Sequence, residues 1–240
     1  VEDDKGPIIA CLYCMKAIRD LNLPIKKKLH LIIGTDEETG SRCIKHYLRN
    51  EGQFSYGFSP DAMFPIVNAE KGIVRFLWVK RIEKKSEIII SINAGTKVNV
   101  VPDRAEVNLS INHITSINKA YESYDHNDEI NISHDGERVC VVAKGISAHA
   151  MEPEKGKNSL QILLRFLSTI PLPTDELVRS LYYLFDMFGI DFDGRSIGLN
   201  ISDMESGSLT LNMAILDIKD NELHVGFDLR YPVSADWNEL

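Results

Sequence analysis

Residues 29–40, LHLIIGTDEETG, constrain the fold more than any other stretch of this chain. The run 29–33 has the length and the aliphatic, β-branched content of a buried strand. Gly34 and Thr35 allow a turn at its end, and three carboxylates, Asp36, Glu37 and Glu38, follow in succession. That order delivers the acids to the carboxyl edge of a sheet, where open α/β folds place their ligand sites. Adjacent acids on a loop are more often simply solvated. The aliphatic run in front of them, and two further acidic stretches around Asp3 and Asp61, favour a site.

The elements around this stretch follow from periodicity. Residues 8–21 carry Ile9, Leu12, Tyr13, Ala17, Ile18 and Leu21 at helical spacing. Pro7 suits the first turn of that helix, and Asn22-Leu23-Pro24 ends it. A second helix is expected over 41–50 and strands over 66–69 and 72–79. The basic segment 80–85, KRIEKK, then reads as a boundary, dividing the chain into 1–78 and 79–240. Beyond it the pattern becomes antiparallel. Strands are expected over 87–93, 99–101, 105–113 and 138–144, with a hairpin of 209–218 and 222–231 around Lys219-Asp220-Asn221. Helices are expected over 116–124 capped by Ser116, over 158–170, and over 174–188 capped by Thr174. The fold class is therefore an α/β first domain followed by an α+β domain, an antiparallel sheet with helices on one side.

Composition narrows the partners. With 27 basic and 35 acidic residues the formal charge is −8, and the two short lysine-rich segments do not offset it, which argues against nucleic acid. There is no apolar run of about 18 residues, the length a membrane helix needs. Cys11 and Cys14 form a CLYC inside the first helix, beside Leu12 and Met15, which favours packing over redox chemistry or zinc. The reading is a cytoplasmic protein with reduced thiols. The start VEDDKGP has no Met and reads as the inside of a loop, and SADWNEL reads as the start of a helix. A chain with missing parts is the expectation.

Asp3, Glu37, Glu38 and Asp61 carry the chemistry of the first part. Three carboxylates on loops at one sheet edge can hold a pair of divalent ions, one of them bridging, because such ions take oxygen ligands. A fourth acid beside them can act as general base toward a metal-activated water. Spacing alone leaves this open.

The motifs decide it. EDDKGP (2–7), IIGTDEETG (32–40), GFSPDAMFP (57–65), Glu70-Lys71-Gly72, NVVPD (99–103), GISAHA (145–150), GKNS (156–159) and DLRYP (228–232) occur in this order. Together they resemble the aminoacylase, carboxypeptidase G and carnosinase family of two-zinc metallopeptidases, in its PepV-like dipeptidase branch. The resemblance implies a part of a zinc-exopeptidase catalytic domain over 1–78 and a lid domain over 79–240. It implies that Asp3 bridges two zinc ions, that Glu38 and Asp61 each bind one, and that Glu37 is the general base toward a metal-bridged water; Mn2+ or Co2+ are substitutes for zinc. His149 would polarise the scissile carbonyl, and Asn99 and Arg230 would bind a dipeptide, Arg230 clamping its free carboxylate. The large lid implies a monomer.

The family also supplies two histidine ligands, one in an H-x-D motif upstream of Asp3 and one beyond the lid. Neither is among these residues, so the chain alone is expected to bind zinc poorly and to be inactive. Two alternatives stay open: a relative that removes acyl or succinyl groups from amino acids, and a truncated, non-catalytic binding module.

Overall fold

The computed structural model describes residues 4–37, 40–62 and 65–236. The chain divides into two compact units, 1–68 and 69–240.

In the first unit, the described residues form two helices, α1 (Lys5–Asp20) and α2 (Arg42–Glu51). Neither buries a residue. The strands expected at 29–33 and 66–69 are absent. A strand exists only by pairing its backbone N–H and C=O groups, and no described residue of this unit offers those runs a ladder.

The second unit is built on a 7-stranded antiparallel sheet. Its strands are β1 (Gly72–Arg81), β2 (Ile89–Ala94), β3 (Arg104–Ser110), β4 (Ile130–His134), β5 (Arg138–Lys144), β8 (Thr210–Lys219) and β9 (Glu222–Tyr231). They lie in the order β1-β9-β8-β2-β3-β5-β4. A separate two-stranded ladder joins β6 (Ser202–Asp203) and β7 (Gly207–Ser208). Because β1 pairs with β9 along its whole length, the boundary falls ahead of β1. A boundary after residue 78 would cut this strand. The basic segment taken for a linker instead finishes β1 and turns inward, Ile82 being buried and its N–H donating to the Asn221 carbonyl at 2.8 Å.

Alternation explains the sheet. Ala105, Val107 and Leu109 of β3 and Val139, Val141 and Ala143 of β5 face the core, while Arg104, Glu106 and Arg138 face away. Register places Val107 opposite both Ile92 and Val141. Three helices complete this unit: α3 (Ile114–Glu122), α4 (Ser159–Thr169) and α5 (Glu176–Phe188). Helix α4 packs on β3, β5 and β8, and α5 packs on α4. The antiparallel sheet and its helices are thus as expected.

Several local expectations are corrected. Ser116 lies inside α3, which starts at Ile114 after a 3-10 turn, so it is no cap. Helix α5 is capped by Asp175, whose carboxylate accepts from the Val178 N–H at 2.9 Å, and not by Thr174. Residues 99–101 form one isolated bridge, Val100 to His149, instead of a strand. Strand β4 was not expected at all: its sequence INISH has two apolar residues, and it becomes a strand by pairing with β5.

Candidate active site

In the first unit, Asp36 organises the carboxylate loop. One carboxylate oxygen accepts from the Cys43 N–H at 2.9 Å, and the other accepts from the N–H and Nε of Arg42 at 3.1 and 3.0 Å. The Asp36 carbonyl accepts from the Ser41 N–H at 2.9 Å. One residue therefore ties together both ends of the loop 36–42 and caps α2, where Ser41, at φ 51°, makes no side-chain cap. The Cys43 thiol and N–H, and then Arg42, hold the Asp36 carboxyl well below the usual carboxylate range against the opposing effect of burial. Glu37, inside this loop, is exposed. Sequence reasoning gave Asp36 no role of its own.

Asp61 is an exposed carboxylate on the loop after α2. The other two metal-ligand candidates, Asp3 and Glu38, lie outside the described residues. Among the described residues no three His, Cys, Asp or Glu side chains gather as a metal would require. Asp61 supplies a carboxylate oxygen of the kind such a metal takes, and the other two candidate ligands lie outside the described residues.

In the second unit, three of the sequence motifs are knitted backbone to backbone. The Ala150 N–H donates to the Asn99 carbonyl at 2.9 Å and the Val101 N–H to the Ala148 carbonyl at 2.9 Å. Ile146 and Lys157 exchange both bonds at 2.9 Å, and the Ser159 N–H reaches the Pro102 carbonyl at 2.9 Å. Such contact leaves no room for a side chain at Gly145, where a Cβ would sit 2.1 Å from the Lys157 carbonyl oxygen. Asn99 and His149 are neighbours as a result. His149 is exposed, and its Nδ1 accepts from the Met151 N–H at 3.2 Å. The direction of that bond assigns the neutral tautomer with hydrogen on Nε2, leaving a donor at the exposed end of the ring.

Strands β8 and β9 hold the rest. Arg230 sits opposite Thr210, whose hydroxyl donates to the Ala150 carbonyl at 3.4 Å. The Arg230 Nε donates to Asp228 at 2.9 Å, and Arg75 donates to the other oxygen of the same carboxylate at 3.1 Å. Asp228 is fully buried and the Arg230 side chain is 11% exposed. One aspartate thus orients two guanidiniums and leaves a net positive charge. Lys71 adds to it: burial pushes its ammonium down, Glu154 raises it, and Arg230 lowers it. Asp228 belongs to a recognised motif but had been given no task. Asn158 likewise belongs to a recognised motif and had no task, whereas Asn212 and Thr210 were missed entirely, because a polar residue in an apolar strand shows its partners only after folding.

An imidazole N–H, a carboxamide and a fixed guanidinium on connected backbone suit a ligand with a polarisable carbonyl and an anionic group. Residues 1–155 match the model of peptidase family M20/M25/M40. The chain is 36% identical over 243 residues to "Putative dipeptidase YtjP" of Bacillus subtilis (strain 168), covering 98% of this chain and 52% of that protein. It is 32% identical over 246 residues to "Putative dipeptidase SAB1611c" of Staphylococcus aureus (strain bovine RF122 / ET3-1), covering 99% and 52%. The chain belongs to the M20/M25/M40 peptidase family. It spans about half the length of the curated relatives it matches. Among the described residues no helix is long and apolar enough to cross a membrane.

Proposed function

We propose that the whole protein is a cytoplasmic, monomeric, zinc-dependent dipeptidase, and that this chain supplies part of its catalytic domain, in the first unit, and its lid, in the second. The observation that carries the reading is the linkage of Asn99 and His149 by backbone hydrogen bonds, and of both to Arg230 through the Thr210 hydroxyl, in a chain whose relatives bear dipeptidase names. Asp3, Glu38 and Asp61 are assigned to the metal pair, with Mn2+ or Co2+ as substitutes; when bound, the ions would supply an acidified water.

The remaining roles belong to this chain's own side chains. Glu37 accepts the proton of the attacking water and returns it to the nitrogen of the leaving amine as the C–N bond breaks. His149 donates from Nε2 to the carbonyl oxygen as negative charge develops there. Arg230, held by Asp228, receives the free carboxylate of the dipeptide, and Asn99 fixes the peptide beside it.

The test uses the full-length protein with its flanking sequence, assayed on alanylalanine and on N-acetyl and N-succinyl amino acids. Glu37→Gln should lower kcat on the dipeptide by about a thousandfold, as loss of a general base does, while metal content is unchanged. Undiminished activity in that variant would remove the base assignment. Faster hydrolysis of the acylated amino acids would move the protein to the deacylase reading.

A further inference from the structure

Asn212 lies in the middle of the sheet, on β8 directly opposite Asp228, and is 1% exposed. An uncharged polar side chain at such a position is costly unless its hydrogen-bonding groups are satisfied. Here they are. Its Nδ2 donates to the Val100 carbonyl at 3.0 Å and to the Val98 carbonyl at 3.5 Å. Its Oδ1 accepts from Asn158 Nδ2 at 3.1 Å. Asn158 Nδ2 also donates to the Met213 carbonyl at 2.8 Å, while its Oδ1 caps α4 by accepting from the N–H groups of Leu160 and Gln161 at 3.0 and 3.2 Å.

The direction of this chain of bonds is forced at both ends. The helix N–H groups can only donate, so Asn158 Oδ1 faces them and Nδ2 faces Asn212. Asn212 must then accept with Oδ1 and present both hydrogens of Nδ2 to the loop, where two carbonyls can only accept. Those carbonyls belong to the residues immediately before and after Asn99. One buried amide therefore holds Asn99 from both sides, and it is anchored in turn to the start of a helix.

We propose that Asn212 is a positioning residue for substrate binding: its buried carboxamide, clamped by Asn158, fixes the backbone on both sides of Asn99 and so aims the Asn99 side chain. This rests on the reading of Asn99 as a substrate-binding group. Asn212 touches no substrate. Its effect on Asn99 passes through the Val98 and Val100 carbonyls.

Asn212→Asp separates the two halves of the amide. It retains an acceptor for Asn158, so the helix cap survives, but sets a carboxylate oxygen against two carbonyls and loses the donor. In full-length, metal-loaded protein, Asn212→Asp should lower kcat/KM for alanylalanine by about a hundredfold, the effect of a misplacement near 1 Å. In an Asn99→Ala background the same change should cost less than about threefold, because residues acting through one another are not additive. An equal loss in both backgrounds overturns the proposal and leaves Asn212 a purely structural residue. No loss in either background overturns it as well. If Asn99→Ala alone leaves hydrolysis intact, the fault lies with the reading of Asn99, and the proposal falls with it. Should Asn212→Asp fail to fold, Asn212→Ser, which is uncharged and too short to span both carbonyls, enters the same cycle with the same outcomes.

Discussion

Asp228 shows how much one side chain can settle. It is fully buried, yet accepts from Arg75 on one oxygen and Arg230 on the other. Removing its charge leaves two cations facing each other across β1 and β9, with Arg230 nearly covered. Asp228→Asn in the 240-residue chain should cost about 3 kcal/mol of unfolding free energy in urea, since breaking a buried pair strands its partners. A loss below about 1 kcal/mol would mean that solvent, and not Asp228, neutralises the arginines. DLRYP could be read from the sequence as a motif and Arg230 as its working residue. The need for Asp228 could not, because the partner Arg75 is on another strand, 153 positions away.

Elements succeed or fail as sequence readings according to where their partners lie. Helix α4 was legible: eight of its eleven residues are buried, at the spacing its leucines announce, and Asn158 caps it. The start of α5 was not, since Thr174 and Asp175 are both acceptable caps and the choice is made by tertiary contact. Asp175 also accepts a hydrogen bond from the Ser86 hydroxyl, and that hydroxyl oxygen accepts from the N–H groups of Ile88 and Ile89 at 3.1 and 2.8 Å, where β2 begins. The aspartate thus joins the start of a helix to the start of a strand, which a threonine one residue earlier does not. Asp175→Ala should cost about 2 kcal/mol, a lost cap together with a stranded hydroxyl, whereas Thr174→Ala should cost under about 0.5 kcal/mol. Thermal melts of the two variants check the pair, and equal shifts would contradict the assignment.

At the scale of the molecule, the buried apolar residues among those described run from Ile82 to Leu229, in the second unit. In the first unit Ile9, Leu12 and Ile33 are about half exposed and Tyr13 more so. Burial of apolar surface is what offsets the entropy of ordering a chain, so the two units should differ in stability. Limited proteolysis of the 240-residue chain should cut first between residues 52 and 71, where no helix or strand is described, and leave a resistant fragment ending near residue 236. First cuts inside the sheet would contradict this.

Sequence reasoning therefore reached whatever is local or periodic: the helices, most strands of the second unit, and the ordered motifs that carry the family. It placed Glu37, Asn99, His149 and Arg230 in those motifs. It overestimated the strand at 29–33, because an apolar run states a preference for burial but cannot supply the neighbour that a ladder requires. It put the boundary at a charge run, whereas the pairing of β1 with β9 sets it earlier. The supports of the site, Asp36 across its loop and Asp228, Thr210 and Asn212 across the sheet, were decided by folding. Each is a polar residue whose meaning is a hydrogen-bond partner, and a partner distant in sequence exists only once the strands are in register.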